Sequence, residues 1–142
     1  MLSTLNSIKS YISAKLNIDT KLDNRFGQSV EKVSMVSPDE DNILVIDPNT
    51  ASLFYVSLTT DANIEFNAVN DVYPITGSTI TILLERSNSN IIVTWPNNIT
   101  WKGNVAPTLS HRNLITLTTF DGELMWYGGS IVIDDTYPVS SS

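Results

Sequence analysis

The chain contains no cysteine. That absence excludes a disulfide framework, a thiolate zinc site and a thiol nucleophile together. Histidine is almost missing: His111 stands alone, within Ser110-His111-Arg112-Asn113, and neither a Gly-x-Ser-x-Gly elbow nor a His-rich ligand spacing accompanies it. Asp134-Asp135 would point to opposite sides if extended, so they form no acid-base pair. The reading is non-enzymatic, with no cofactor and no metal. Basic residues are few. Eight Lys and Arg, scattered singly, face fifteen Asp and Glu for a net charge of −7, so no basic stripe exists to displace counterions from a nucleic acid. Long apolar runs are lacking too. Ile43 to Ile46 and Ile80 to Leu84 fall far short of the roughly 20 residues of a membrane-spanning helix. With no basic n-region and no continuous apolar stretch behind it, the N-terminus reads as a start at Met1 without a secretory signal.

Ser, Thr and Asn make up about a third of the 142 residues, a mixture suited to exposed β surface. The first stretch is different. Leu5, Ile8, Ile12 and Leu16 fall at the three-and-four spacing of one helical face, with Ser3 or Thr4 as N-cap, which predicts a helix over Ser3 to Leu16. A helix that short is marginal alone in water, so those four residues are the candidate interface or anchor. A second helix, from Thr20 to Phe26, would end at Gly27. The acidic loop Ser37-Pro38-Asp39-Glu40-Asp41-Asn42 then reads as solvated and as a boundary. This gives an N-terminal segment over 1–41, a β body over 42–134 and a C-terminal tail over 135–142, of which Val139 to Ser142 reads as a frayed end.

Strand character follows. Ile43–Ile46, Leu53–Leu58, Asn63–Phe66, Thr79–Glu85, Ile91–Trp95, Leu114–Phe120, Glu123–Tyr127 and Ser130–Ile133 are short, rich in β-branched or aromatic residues, and separated by turn chemistry. The expected fold class is mainly β, an antiparallel β-sandwich of jelly-roll type. Asp121-Gly122 predicts a two-residue hairpin in which Phe120 faces Glu123, Thr119 faces Leu124 and Leu117 faces Trp126. Ile115, Leu117, Leu124 and Trp126 then share the core side. The other side carries Leu114, Thr116, Thr118, Met125 and Tyr127, suited either to solvent or to a subunit interface.

The most distinctive stretch is Ile91-Ile92-Val93-Thr94-Trp95-Pro96-Asn97-Asn98-Ile99-Thr100-Trp101-Lys102-Gly103. Pro96 cannot donate to a ladder and should stop the first strand, leaving a tryptophan at the end of each segment. Together with Ile43-Leu44-Val45-Ile46-Asp47, Phe54-Tyr55-Val56-Ser57-Leu58, Ala106-Pro107-Thr108-Leu109 and Phe120-Asp121-Gly122 through Trp126, it resembles a β-rich domain of tail-fibre, head-fibre and other surface proteins of tailed bacteriophages. The resemblance covers roughly Ile43 to Gly128. It departs at Asn104, where the resembled pattern often has a second glycine.

The resemblance implies a homotrimer at the virion surface, a small capsid decoration or fibre protein joined to other virion proteins through its N-terminal segment. The chain is short and has no long repetitive shaft, which favours decoration or a head fibre over a tail fibre. A different class of function rests on Trp95, Trp101 and Tyr127, whose flat faces suit a host-surface glycan. A Trp at a strand end is more often filler with its N–H satisfied.

Overall fold

The computed structural model describes residues 31–69, 77–122 and 124–138. Both expected N-terminal helices, and with them Leu5, Ile8, Ile12 and Leu16, lie outside the described residues. Nine strands run in chain order: β1 (Val33–Val36), β2 (Ile43–Ile46), β3 (Leu53–Leu58), β4 (Ala62–Phe66), β5 (Ser78–Arg86), β6 (Val93–Thr94), β7 (Ile99–Trp101), β8 (Arg112–Thr119) and β9 (Trp126–Asp134). The protein is mainly β, as its composition and alternation predict.

The strands form a six-stranded sheet, ordered β1-β3-β5-β8-β9-β7, and a three-stranded sheet, ordered β2-β4-β6. Up to β6 the chain alternates between the two, so each strand pairs with the strand two places away in sequence. The expectation of antiparallel pairing is thereby corrected. β1–β3, β3–β5, β2–β4, β4–β6 and β7–β9 are parallel, while β5–β8 and β8–β9 are antiparallel. The reason lies in the corners. Each turn sends the chain into the other sheet, and two such turns return it beside its earlier course in the same direction.

Carboxylate and amide side chains build those corners by capping backbone N–H groups locally. Asp39 Oδ1 accepts from the amides of Asp41 at 2.8 Å and Ile43 at 2.9 Å, and Asn42 takes a left-handed φ of 63°. Asp47 Oδ1 accepts from the Asn49 amide at 3.0 Å. That backbone hydrogen bond lowers the Asp47 pKa. Asn88 and Asp134 cap Asn90 and Thr136 in the same way.

Two expected boundaries move. Val33–Val36, read as part of the N-terminal segment, is an edge strand paired with β3, and the compact unit runs from Lys32 to Ser142. Of the stretches Glu123–Tyr127 and Ser130–Ile133, read as two strands, Trp126 and Tyr127 of the first and all of the second belong to the one strand β9. In the C-terminal tail the Tyr137 hydroxyl lies 2.5 Å from Arg86 Nη2; residues 139–142, read as the frayed end, lie outside the described residues.

Both sheets contribute to one core. Leu44, Ile46 and Ile64 from the small sheet join Phe54, Val56, Ile80, Ile82, Leu84, Ile115, Leu117 and Trp126 from the large one. Burial of each such side chain is worth about 1.5–3 kcal/mol, and this core holds the sheets against each other. Phe66 covers Trp126, with ring centroids 5.2 Å apart.

The hairpin differs from its expected form. Thr119 pairs with Trp126 and Leu117 with Gly128, a register displaced by two residues from the one that Asp121-Gly122 predicts. Asp121 Oδ1 accepts from the Leu124 and Met125 amides at 2.9 and 3.2 Å, and Thr119 Oγ1 accepts from the Gly122 amide at 3.1 Å. These caps widen the turn. An even displacement preserves the faces, so Ile115, Leu117 and Trp126 still point inward. Leu124 does not: it is exposed. Glu123, the expected partner of Phe120, lies outside the described residues.

Candidate functional site

Opposite the core, the outer face of the large sheet carries a row of apolar side chains. The register places Met35 beside Tyr55, Tyr55 beside Leu83, Leu83 beside Leu114 and Leu114 beside Ile131. Five strands contribute one residue each. The two ends are the most open, Met35 at 76% and Ile131 at 64% exposure. Val33 and Leu53 begin a second row that continues through Thr81 and Thr116 to Gly129. The expected outward residues Leu114, Thr116, Thr118 and Tyr127 all lie on this face.

A charged group closes one side of it. Glu85 Oε1 accepts from Arg112 Nε at 2.7 Å, and Glu85 Oε2 from the Tyr55 hydroxyl at 2.9 Å. Burial pushes the Glu85 carboxyl up, but the two hydrogen bonds outweigh it and the net pKa is lowered. Each donor's own hydrogen bond to Glu85 raises it in turn, the Tyr55 phenol and the Arg112 guanidinium.

The tryptophan segment crosses between sheets. β6, in the small sheet, ends before Trp95, and β7 takes up the large sheet at Ile99, so Pro96 and the two asparagines span the gap as the sequence predicts. The Trp126 amide donates to Asn98 O at 2.8 Å, tying this turn to β9. Trp95 and Trp101 meet edge to face, centroids 5.1 Å apart. Trp101 is only 9% exposed and presents no platform. Trp95 is half-buried. Tyr127, 47% exposed, is the accessible member of the three and packs beside Phe120 at 6.1 Å. Asn104 holds φ at 63° and Gly103 at 77°, a left-handed region that asparagine tolerates.

The chemistry-bearing residues are occupied structurally. Buried Arg86 donates to the carbonyls of Ile91 at 2.8 Å, Ser110 at 3.2 Å and Leu109, and to Tyr137. His111 Nδ1 lies 2.8 Å from Arg86 O. Asn113 Nδ2 donates to Leu84 O and Ser110 O at 3.2 and 3.0 Å. The acidic loop at Asp39 serves as a turn cap, and among the described residues no group of three or more His, Asp or Glu is placed to hold a metal ion.

Sequence reasoning missed Met35, Phe120 and Ile131 as surface features. Alternation marks which residues share a face, but the row appears only once strands distant in sequence are ordered side by side. No family model, no curated protein and no solved structure matches this chain.

Proposed function

We propose that this chain is a structural component of a bacteriophage surface, a two-sheet sandwich that works as an assembly subunit rather than an enzyme. The observation that carries it is the outer row from Met35 to Ile131. A sheet face bearing Met, Tyr, two Leu and Ile in one line leaves apolar area in water that burial against other copies would remove. Permanent interfaces resemble a core cut in half, and this face has that make-up with a salt-bridged margin at Glu85 and Arg112. The virion setting and the trimeric state come from the resemblance carried by the tryptophan segment. The N-terminal segment is assigned the attachment to other virion proteins.

Light scattering of the purified chain tests the assembly. A trimer mass is expected, and Leu83→Lys should lower it to a monomer with the β-type circular dichroism retained. A wild-type monomer would overturn the proposal.

One observation favours a second reading, a glycan-binding module. Phe120 and Tyr127 stand together on the surface, which is where a sugar ring would stack. Loss of host-polysaccharide binding in Tyr127→Ala, with unchanged mass, would support it.

A further inference from the structure

We propose that neighbouring copies join edge to edge, with β1 of one copy added as a parallel strand beside the free half of β9 of the next. The inference rests on the self-assembly reading above and adds an edge contact distinct from the outer face.

β7 covers β9 only opposite Trp126, Tyr127 and Gly128. The chain then leaves the sheet in the 3-10 turn Lys102–Asn104, and among the described residues no strand pairs with that side of β9 from Gly129 onward. Beyond Gly129 and Ser130, the uncovered stretch carries Ile131, Val132 and Ile133, all exposed. Natural edges are usually blunted by lysine, proline or inward charge, and these three residues supply none. A register irregularity opposite Arg112 and Asn113 limits the regular part of this edge to Gly129–Val132. Alongside it runs a cleft of about 200 Å³, lined by Trp101, Lys102, Val105, Pro107, Ser130 and Val132 among others; the Lys102 stem lies against Gly129, so the open part of the edge begins at Ser130.

The opposite end of the same sheet offers a matching piece. β1 is four residues long and has β3 as its single strand neighbour among the described residues. Its direction is right. β1, β3 and β5 are parallel, and the two antiparallel steps through β8 restore that direction in β9. A copy turned about an axis along the strands therefore presents β1 parallel to β9. The faces match as well: outward Val33 and Met35 meet outward Gly129 and Ile131, and Ser34 and Val36 meet Ser130 and Val132 on the cleft side. Since Met35 and Ile131 already end one row, docking continues that row from copy to copy.

Two further observations select this occupant. Neither Val33–Val36 nor Gly129–Val132 contains a charged residue, so copies of a chain with net charge −7 meet there without opposed carboxylates. Two β9 edges paired with each other fit less well. In antiparallel register about Ile131, only Ser130–Val132 align before β7 on one side and the irregularity on the other. Head-to-tail contacts of the β1–β9 kind close into a ring when the rotation permits.

The absence of native cysteine makes the test direct. Full-length Met35→Cys and Ile131→Cys chains are purified alone and after co-expression, then treated with a short bis-maleimide. Covalent dimers are expected only from the co-expressed pair. Equal crosslinking of Ile131→Cys by itself would overturn the assignment in favour of paired β9 edges. An oligomer by light scattering without crosslinks would overturn the edge contact and leave the outer-face assembly standing, whereas a monomer would overturn both.

Discussion

Glu85 accepts a hydrogen bond from Arg112 at 2.7 Å across the β5–β8 pair, on the face opposite the core. Because the folded carboxyl ionises below its ordinary value of 4.5, the pair stabilises the protein at pH values above the unfolded pKa. That contribution is lost as pH falls through the lower folded value. Glu85→Gln should therefore melt below the wild type at neutral pH. In acid, once the wild-type carboxyl is itself protonated, the two melting curves should converge. Parallel curves at every pH would show that the ion pair contributes nothing.

Trp126 is 1% exposed and packed by Phe66, so truncation removes the largest side chain of the core. Trp126→Ala should cost about 3–5 kcal/mol in denaturant titration. Tyr127→Ala, one residue on and facing outward, should change stability by about 0.5 kcal/mol or less when the chain is monomeric.

The adjacent glycines of β9 should respond oppositely to alanine. A Cβ on Gly128 would lie 2.2 Å from Thr116 O and 2.5 Å from Leu117 Cδ2, whereas one on Gly129 would meet the Lys102 stem at 3.5 Å. Gly128→Ala must force β8 and β9 apart and should give little soluble folded protein. Gly129→Ala should express and melt like the wild type.

Arg86 holds three carbonyls from two loops, Ile91 on one and Leu109 and Ser110 on the other, with one planar fork, a geometry that lysine cannot reproduce. Arg86→Met strands those acceptors and should cost about 3 kcal/mol or more. Arg86→Lys should recover little of it. Tyr137→Phe, which removes one of the fork's partners, should cost about 1 kcal/mol. Chemical denaturation of the three variants separates these outcomes.

The strand positions were legible where β-branched residues sit between turn formers: β2 and β3 begin and end where alternation and the Asp47-Pro48-Asn49 turn place them. The inward side of Ile80, Ile82, Leu84, Ile115, Leu117 and Trp126 was legible for the same reason, since period two fixes the face whatever the partner. Strand direction was not. Alternation is identical in parallel and antiparallel ladders, and only the destination of each corner decides between them. β1 was hidden because its Val-Ser-Met-Val has little of the length or bulk that marks a strand. A signal for it did exist. Val33 pairs with Leu53 and Ile43 with Asn63, so over the first winding both sheets advance by the same 20 residues, before Leu53 pairs with Thr81 and Ala62 with Val93 across longer loops; comparing the chain with itself at that spacing would have aligned β1 with β3 and Asp41 with Asp61. The candidate surface was half legible, as Leu114 and Tyr127 could be assigned outward while their neighbours Met35 and Ile131 lie far off in sequence.

That common advance carries a consequence for length. Where both walls climb in step, as they do over that first winding, the body can be extended or shortened cleanly only by a whole winding. A segment duplicated from Val33 to Ser52 would enter as one more storey, whereas an insert of any other size must bulge out at a corner. Height in this architecture is counted in integers.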